Sequence, residues 1–145
     1  MINIVLPVDF SDATTKLLES AVKFAKETNG KIFLIHVAAS DIGFAIGDMG
    51  FQYFPEVEEN EMKHELTELN NLEKKVLEHG VQCEHLMKQG VSGDIILDYA
   101  SEKNADYIVM GSHGRSNMYD VFVGSLTKEL TRKSQIPVLV IPIHD

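Results

Sequence analysis

The chain has 145 residues, of which 44% are hydrophobic and 24% are charged, a composition typical of a globular domain and not of a disordered or fibrous protein. Its 22 acidic residues exceed its 13 lysines and arginines and give a formal net charge of −9 at pH 7, which repels the phosphate backbone of nucleic acids. We therefore expect one domain over residues 1–145 that does not bind nucleic acid.

The lone cysteine and the N-terminal residues indicate the compartment. Cys83 has no second cysteine with which to form an internal disulfide or a zinc cluster, so its simplest interpretation is a reduced, packed thiol. The first residues, Met1–Val5, lack the basic region and cleavage site of a signal peptide, and no apolar run approaches the roughly 20 residues that span a bilayer. We expect a cytoplasmic protein with no membrane partner.

Five runs rich in β-branched residues have the length of strands. They are Ile2–Val8, Lys31–Val37, Val81–Met87, Asp106–Met110 and Pro137–Ile141. All but the third are almost continuously apolar, which is typical of parallel strands covered by helices on both faces. The pattern predicts a parallel sheet.

Helical periodicities occupy the intervals between these runs. The first carries an apolar residue at every fourth position from Ala13 to Ala25, and we expect Ser11 to cap this helix. Asn29-Gly30 supplies its expected stop. The other three helices are expected over Met62–Val76, from Ser92 or Gly93, and from Ser125. Strands that alternate with helices predict right-handed crossovers and a doubly wound α/β sheet.

The segment Ala39–Pro55 departs from this alternation because it mixes three glycines with four aromatic residues. We predict a long loop here. Loops longer than about 15 residues within a domain often act as lids or binding loops. The alternative is that the aromatic residues form a static roof over the sheet edge.

The segment after the fourth predicted strand has the form G-x2-G-x9-G-S. Gly111 and Gly114 permit sharp turns and close approach of a ligand, and they expose N–H groups of the kind that bind phosphate oxygens. Gly124 and Ser125 open the fourth helix, whose free N–H groups and positive dipole end offer a second anion site. We expect Ser125 to donate its hydroxyl and to cap the helix. The alternative is an ordinary strand-to-helix connection.

Local charge and one histidine add to this glycine frame. Residues Gly111–Ser134 carry four basic and two acidic side chains, so they favour an anion within an acidic protein. His113 lies between the glycines of the frame and is a candidate phosphate contact. It has no second clustered ligand, so we expect no metal site. We expect His36, in the second predicted strand, to belong to the core.

The opposite wall of the site is predicted at the carboxyl end of the first strand. There Pro7, Val8 and Asp9 reach the edge of the sheet near a topological switch point. A carboxylate beside a polyphosphate would be repelled, so we expect Asp9 to accept hydrogen bonds from a ribose or a base. The alternative is that Asp9 caps the first helix together with Ser11.

These residues make the chain resemble the universal stress protein family, specifically its ATP-binding branch. The resemblance covers the whole chain. It is carried by Ile4–Ser11, Leu34–Val37, Ala105–Arg115, Gly124-Ser125 and Pro137–Val140.

The resemblance implies a single open five-stranded parallel sheet of order 3-2-1-4-5 with helices on both faces, a Rossmann-like fold of the adenine nucleotide-binding type. It implies ATP as the ligand, with Mg²⁺ held through the phosphates. The base would lie near Val8, Asp9 and Val37, the ribose near Met110 and Gly111, and the phosphates on Gly114, Arg115, Gly124, Ser125 and Leu126. The chain departs from the family pattern at two positions. Val8 stands where Thr is frequent, and we expect this difference to weaken a contact to the nucleotide. Ser92 stands where Pro is frequent, and we expect this difference to affect only helix entry.

The resemblance also implies a homodimer, and the last predicted strand points to its interface. Pro137–Ile141 is apolar on both faces and lies at an expected sheet edge, where an uncovered strand invites pairing. Antiparallel pairing of two copies would satisfy both edges. The alternative is that a helix or loop covers this edge.

Three function classes remain. A nucleotide-binding module of the stress response is favoured over an ATP-using enzyme because the chain contains none of the motifs G-x4-G-K-[ST], G-x-G-x-x-G, S-G-G-x-D-S or H-x-G-H. Asp120 is the only carboxylate near the glycine frame, and a solvated loop residue is its simpler role. We therefore expect no catalytic residues and at most slow ATP hydrolysis. A dimeric scaffold without ligand is the third class.

Overall fold

Strands and helices alternate along the chain in the predicted order, except for two short strands inserted between the second strand and the second helix. The computed structural model describes residues 1–38, 44–47, 50–53, 55–113 and 124–144, and side chains are not described for 44–58. Its elements are β1 (Ile2–Pro7), α1 (Thr14–Thr28), β2 (Gly30–Ala38), β3 (Phe44–Gly47), β4 (Gly50–Tyr53), α2 (Pro55–Glu78), β5 (Cys83–Gln89), α3 (Ser92–Glu102), β6 (Tyr107–Gly111), α4 (Ser125–Lys133) and β7 (Val138–Ile141). None of the described helices is long and apolar enough to cross a membrane.

The main sheet has five strands in the order β5-β2-β1-β6-β7, and every pair is parallel. This is the order 3-2-1-4-5 of the five predicted strands, so the predicted fold is confirmed. Helices cover both faces. Ile4 and Leu6 of β1 belong to the core beneath α1 and α2, whereas Val5 belongs to the core beneath α3 and α4. All three side chains are fully buried because successive residues of a strand face opposite sides of the sheet.

The order of the strands fixes where a ligand can enter. β1 is paired with β2 on one side and with β6 on the other, so the crossovers that leave β1 and β6 run in opposite directions. In open α/β sheets the crevice outside the carboxyl ends of the strands at such a switch point is the usual ligand site. The carboxyl ends here are Pro7 and Gly111.

The two ends of α1 test the predicted caps. Asn29 adopts the left-handed conformation with φ of 54° and donates its N–H to the Ala25 carbonyl, so the predicted stop is confirmed. The predicted Ser11 cap is wrong. Ser11 contributes its backbone carbonyl, which accepts the Thr14 N–H at 3.0 Å, while its own N–H donates to Asp9 Oδ1 at 3.0 Å. The Asp9 carboxylate therefore closes the turn before the helix.

The prediction of a long loop over Ala39–Pro55 is wrong for its described residues. β3 and β4 form an antiparallel hairpin in which Phe44 is opposite Tyr53 and Gly47 is opposite Gly50, and α2 already begins at Pro55. The reason is the alternation of large and small residues in Phe44–Gly47, which suits a strand. The lid and roof alternatives concern the segment's side chains, which lie outside the described part.

Candidate functional site

A cleft of about 230 Å³ opens at the switch point, between the carboxyl ends of β1, β2 and β6 and the starts of three helices. Ten of the twelve predicted site residues line it: Pro7, Val8, Asp9, Val37, Met110, Gly111, His113, Gly124, Ser125 and Leu126. The other two, Gly114 and Arg115, lie outside the described residues. The strand order thus brings together segments that are more than a hundred residues apart in the sequence.

One wall of the cleft is the turn from β1 to α1. Val8 prolongs β1, since its N–H donates to the Ile35 carbonyl at 2.9 Å. Asp9 follows it and accepts the Ser11 N–H. The Asp9 carboxylate thus closes the turn before α1 without capping the helix, and it also lines the cleft. Its expected hydrogen bonds to a ribose or a base stay a prediction. It gives this wall a negative charge.

The opposite wall joins the end of β6 to the start of α4. The Gly124 N–H donates to the Ser112 carbonyl at 2.7 Å, and Thr127 Oγ1 donates to the Gly111 carbonyl at 2.9 Å. A Cβ on Gly111 would lie 3.1 Å from both the His113 carbonyl and the Ile143 side chain, so a side chain there would require these neighbours to move by a few tenths of an ångström. A Cβ on Gly124 would meet no described protein atom closer than 3.5 Å, which is ordinary contact.

The predicted cap of α4 is wrong. Gly124 occupies the cap position, no side chain caps the helix, and Ser125 is its first residue, with an exposed side chain. The reason is the bond from Gly124 to Ser112, which fixes Gly124, and not Ser125, at the point where the chain turns into the helix. The first-turn N–H groups of α4, which have no partner within the helix, therefore lie beside the cleft.

Three helix starts line this cleft, but they differ in electrostatics. At α1, the Asp9 carboxylate already bonds the backbone just before the helix. At α3, Asp94 lies in the first turn, and the Glu129 carboxylate packs so closely on Gly93 that an added Cβ would lie 2.6 Å from it. The first turn of α4 contains no acidic residue. The start of α4 is therefore the most favourable of the three for an anion.

Several residues of the cleft were not predicted from the sequence. Thr14 is 8% exposed, and the Oγ1 of Thr14 and the Oγ of Ser11 are buried without a hydrogen-bond partner in the described part of the protein. Ser92 is the first residue of α3, where an effect on helix entry was expected, and it also lines the cleft. His36 is buried as predicted, but it reaches the cleft as well. The apolar residues one turn after Thr14 in α1 could have indicated that Thr14 is buried. No motif marks Ser11, Ser92 or His36 as residues of the cleft.

His113 completes the cleft on the side of the glycine frame. It is 5% exposed, and its Nδ1 lies 3.5 Å from Ser112 Oγ. Within the described ranges, no three His, Cys, Asp or Glu side chains are grouped to hold a metal ion.

Cys83 lies outside this cleft at the start of β5, where burial raises the pKa of its thiol to about 12, in agreement with the predicted packing role.

Comparison with known proteins gives a consistent result. The family model described as universal stress protein family matches residues 1–142. Universal stress protein YxiE of Bacillus subtilis is 34% identical over 139 residues, which cover 92% of this chain and 94% of that protein. Universal stress protein MJ0577 of Methanocaldococcus jannaschii is 30% identical over 150 residues, which cover 95% of this chain and 93% of that protein.

Solved structures agree with this sequence relationship. The MJ0577 structure superposes with a TM-score of 0.77 at 28% identity, covering 99% of this chain and 96% of that one. Two structures at 22% identity share the fold and contain a nucleotide. One is a universal stress protein in complex with cAMP (TM-score 0.68, covering 97% of this chain and 96% of that one). The other is the Archaeoglobus fulgidus protein in complex with dAMP (TM-score 0.67, covering 97% and 98%).

Proposed function

The chain belongs to the universal stress protein family, and from that premise we propose that it is a cytoplasmic, homodimeric module of the stress response that binds ATP in the cleft at the switch point. The observation that carries this proposal is the start of α4. Its first turn contains no acidic residue, whereas the Asp9 carboxylate lies just before α1 and Asp94 lies in the first turn of α3. The start of α4 also adjoins the glycine frame. Such a site suits phosphate.

The two walls of the cleft suit the two ends of a nucleotide. The Asp9 carboxylate disfavours phosphate on its own wall, so we assign the base to Val8, Asp9 and Val37. The ribose is assigned to Met110 and Gly111, at the end of β6. The phosphates are assigned to Gly114, Arg115, Gly124, Ser125 and Leu126, with Mg²⁺ held through the phosphates. The adenine nucleotides bound by the two structural neighbours support this ligand class.

The protein's own bonds support a preformed phosphate wall. The bonds from Gly124 to Ser112 and from Thr127 to Gly111 hold the start of α4 against the end of β6. The described protein would accommodate a Cβ on Gly124 in ordinary contact, so we attribute the glycine at this position to the close approach of a phosphate. A preformed wall lowers the ordering cost of binding.

Two measurements test the ligand. Mass spectrometry of small molecules released by heat from the purified protein should identify ATP, and calorimetric titration should give its Kd with and without Mg²⁺. Ser125→Ala should weaken binding, whereas the matched control Ser101→Ala, on an exposed position of α3 away from the cleft, should not. A protein that neither contains nor binds an adenine nucleotide would refute the proposal and leave the dimeric scaffold in its place.

The proposed dimer uses β7. This strand is at the end of the sheet, with β6 as its neighbour, and its four residues are all half-buried apolar side chains. An apolar edge strand without a second neighbour in the described sheet is suited to pairing with a copy of itself about a two-fold axis. Light scattering coupled to chromatography tests the oligomeric state.

A further inference from the structure

A buried histidine in β2 is hydrogen-bonded on both sides of its ring. The Nδ1 of His36 lies 2.8 Å from the Val8 carbonyl oxygen, and its Nε2 lies 2.9 Å from Glu65 Oε2. His36 is 4% exposed, and the Glu65 side chain is 13% exposed. This pair connects α2 to the end of β1.

The two partners of His36 determine how many protons the pair holds. A carbonyl oxygen only accepts hydrogen bonds, so Nδ1 must donate to Val8. An ionised Glu65 also only accepts, so Nε2 must then donate as well; a neutral Nε2 instead requires a protonated Glu65. In both arrangements the pair holds two protons and has no net charge. Removal of one proton would place the Nε2 lone pair against the Glu65 carboxylate.

The same histidine contacts the turn a second time, through a residue in an unfavourable conformation. Phe10 has a φ of 58°, in the left-handed region that bulky residues rarely adopt, and its ring centroid lies 4.4 Å from that of His36. Strained backbone persists only where the surroundings hold it, and such strain is concentrated at functional sites. His36 thus holds Val8 and Phe10, the residues on either side of Asp9.

We infer that His36 is a positioning residue for the nucleotide, acting through the Asp9 turn, and that Glu65 supports it by its contact with Nε2. The part that concerns affinity rests on the proposed function. Loss of the contact with Glu65 loosens the hold on Val8 and Phe10 and weakens nucleotide binding.

The chain contains a matched control on the same helix. His85 of β5 pairs with Glu73 of α2, with 3.1 Å between Nδ1 and Oε2, and both side chains are a little over one-fifth exposed. This pair has the same residue types and links the same helix to the sheet. Neither residue lines the cleft.

The first test compares nucleotide affinity among variants. The double variant His36→Phe with Glu65→Leu removes the pair without leaving a buried charge, and it should weaken ATP binding about tenfold, the loss expected for one net hydrogen bond to a charged group. The control double variant His85→Phe with Glu73→Leu should leave the Kd unchanged. A folded His36 double variant with the wild-type Kd would overturn the inference.

The conservative variant separates a hydrogen-bonding role from simple packing. In Glu65→Gln, the amide can donate to a neutral Nε2 while Nδ1 still donates to Val8, so both contacts of the ring are kept. Glu65→Leu removes the contact with Nε2. We expect Glu65→Gln to bind ATP more tightly than Glu65→Leu, and equal affinities of the two variants would contradict the role of Glu65.

Hydrogen exchange of the free protein keeps the test independent of the ligand. The Ser11 amide bonded to Asp9 reports on the turn, and its exchange should be faster in the His36 double variant than in the wild type and in the His85 control. Equal exchange in all three would overturn the positioning role. If the wild type binds no nucleotide but Ser11 exchange still follows His36, the proposed function fails while the hold on the turn stands.

Discussion

The Gly124 N–H and the Ser112 carbonyl are joined by a 2.7 Å hydrogen bond that fixes the start of α4 beside the end of β6. This bond makes Gly124 the cap of the helix and leaves the N–H groups of its first turn beside the cleft. The electrostatic difference between the walls follows from it, since the Asp9 wall already carries a carboxylate.

Gly124→Val is the sharpest test of the phosphate wall. The site of the added Cβ is in ordinary contact with the protein, and φ at Gly124 is −57°, so we expect the variant to fold. ATP at 100 times its Kd should stabilise the wild type by ~2.7 kcal/mol, a rise in Tm of several degrees at about 2–4 °C per kcal/mol. Thermal unfolding should detect no such rise in the variant, because its side chain fills the space assigned to phosphate. An unchanged rise would place the site elsewhere.

Thr14→Val tests the buried hydroxyl of the cleft. Thr14 Oγ1 is buried without a hydrogen-bond partner in the described structure, and an unsatisfied buried group costs about 1–3 kcal/mol. The isosteric variant should therefore raise the free energy of unfolding of the ligand-free protein, measured in urea. Because this hydroxyl lies in the cleft proposed for ATP, the variant should also reduce the additional stabilisation by ATP.

Thr127→Val is the control for that prediction. Thr127 is buried like Thr14, but its hydroxyl donates to the Gly111 carbonyl, so its removal leaves an acceptor unsatisfied and should lower the stability of the free protein. The same direction of change in both variants would show that partner satisfaction does not control stability at these positions.

The fold could be predicted because its cause is local in the sequence. A parallel strand covered on both faces is apolar at nearly every position, as in Ile32–Ile35, and the residue that ends α1, Asn29, is a common left-handed stop. The β3–β4 hairpin was missed because each of its strands has four residues, too few for alternation to stand out among glycines.

The details of the cleft could not be predicted, because their causes are contacts between distant residues. Serine is a common N-cap residue, which is why Ser11 and Ser125 were predicted as caps. In the structure, Asp9 bonds the turn before α1 and Gly124 occupies the cap position of α4. His36 contacts Glu65, which is 29 residues away and on another element. Sequence patterns identify residues that share one element, and these contacts join different elements.

Cys83 should be a poorly reactive thiol. Burial raises its pKa to about 12, so it stays protonated at pH 8, and the thiolate is the reactive form. Labelling by iodoacetamide should be slow in the folded protein and fast in denaturant.

The same shift in pKa should make stability depend on pH. Because the folded pKa of Cys83 lies above the unfolded value of about 8.5, the unfolded state loses its proton first as pH rises. The thiol's contribution to stability should therefore fall above that pH. Cys83→Ala should show a smaller alkaline loss of stability.

We expect the β3–β4 hairpin to become more ordered when the ligand binds. We predict that amides between Phe44 and Tyr53 exchange more slowly when ATP is bound, because the glycines of this segment permit hinging and its aromatic residues can cover a base. Hydrogen exchange with and without ATP tests this. Equal protection in both states would favour the static roof over the lid.

Val140→Pro tests the proposed dimer without disturbing the monomer's sheet. The carbonyls of Pro137 and Ile141 accept bonds from β6, so strand alternation directs the N–H groups of Val138 and Val140 to the open edge. Proline at 140 removes an outward donor and no ladder bond to β6, and it adds a ring at the edge, which blocks antiparallel pairing with a second copy. Light scattering at about micromolar concentration should report a dimer for the wild type and for Val140→Ile, and a folded monomer for Val140→Pro. A monomeric wild type, or a dimeric Val140→Pro protein, would contradict pairing through β7.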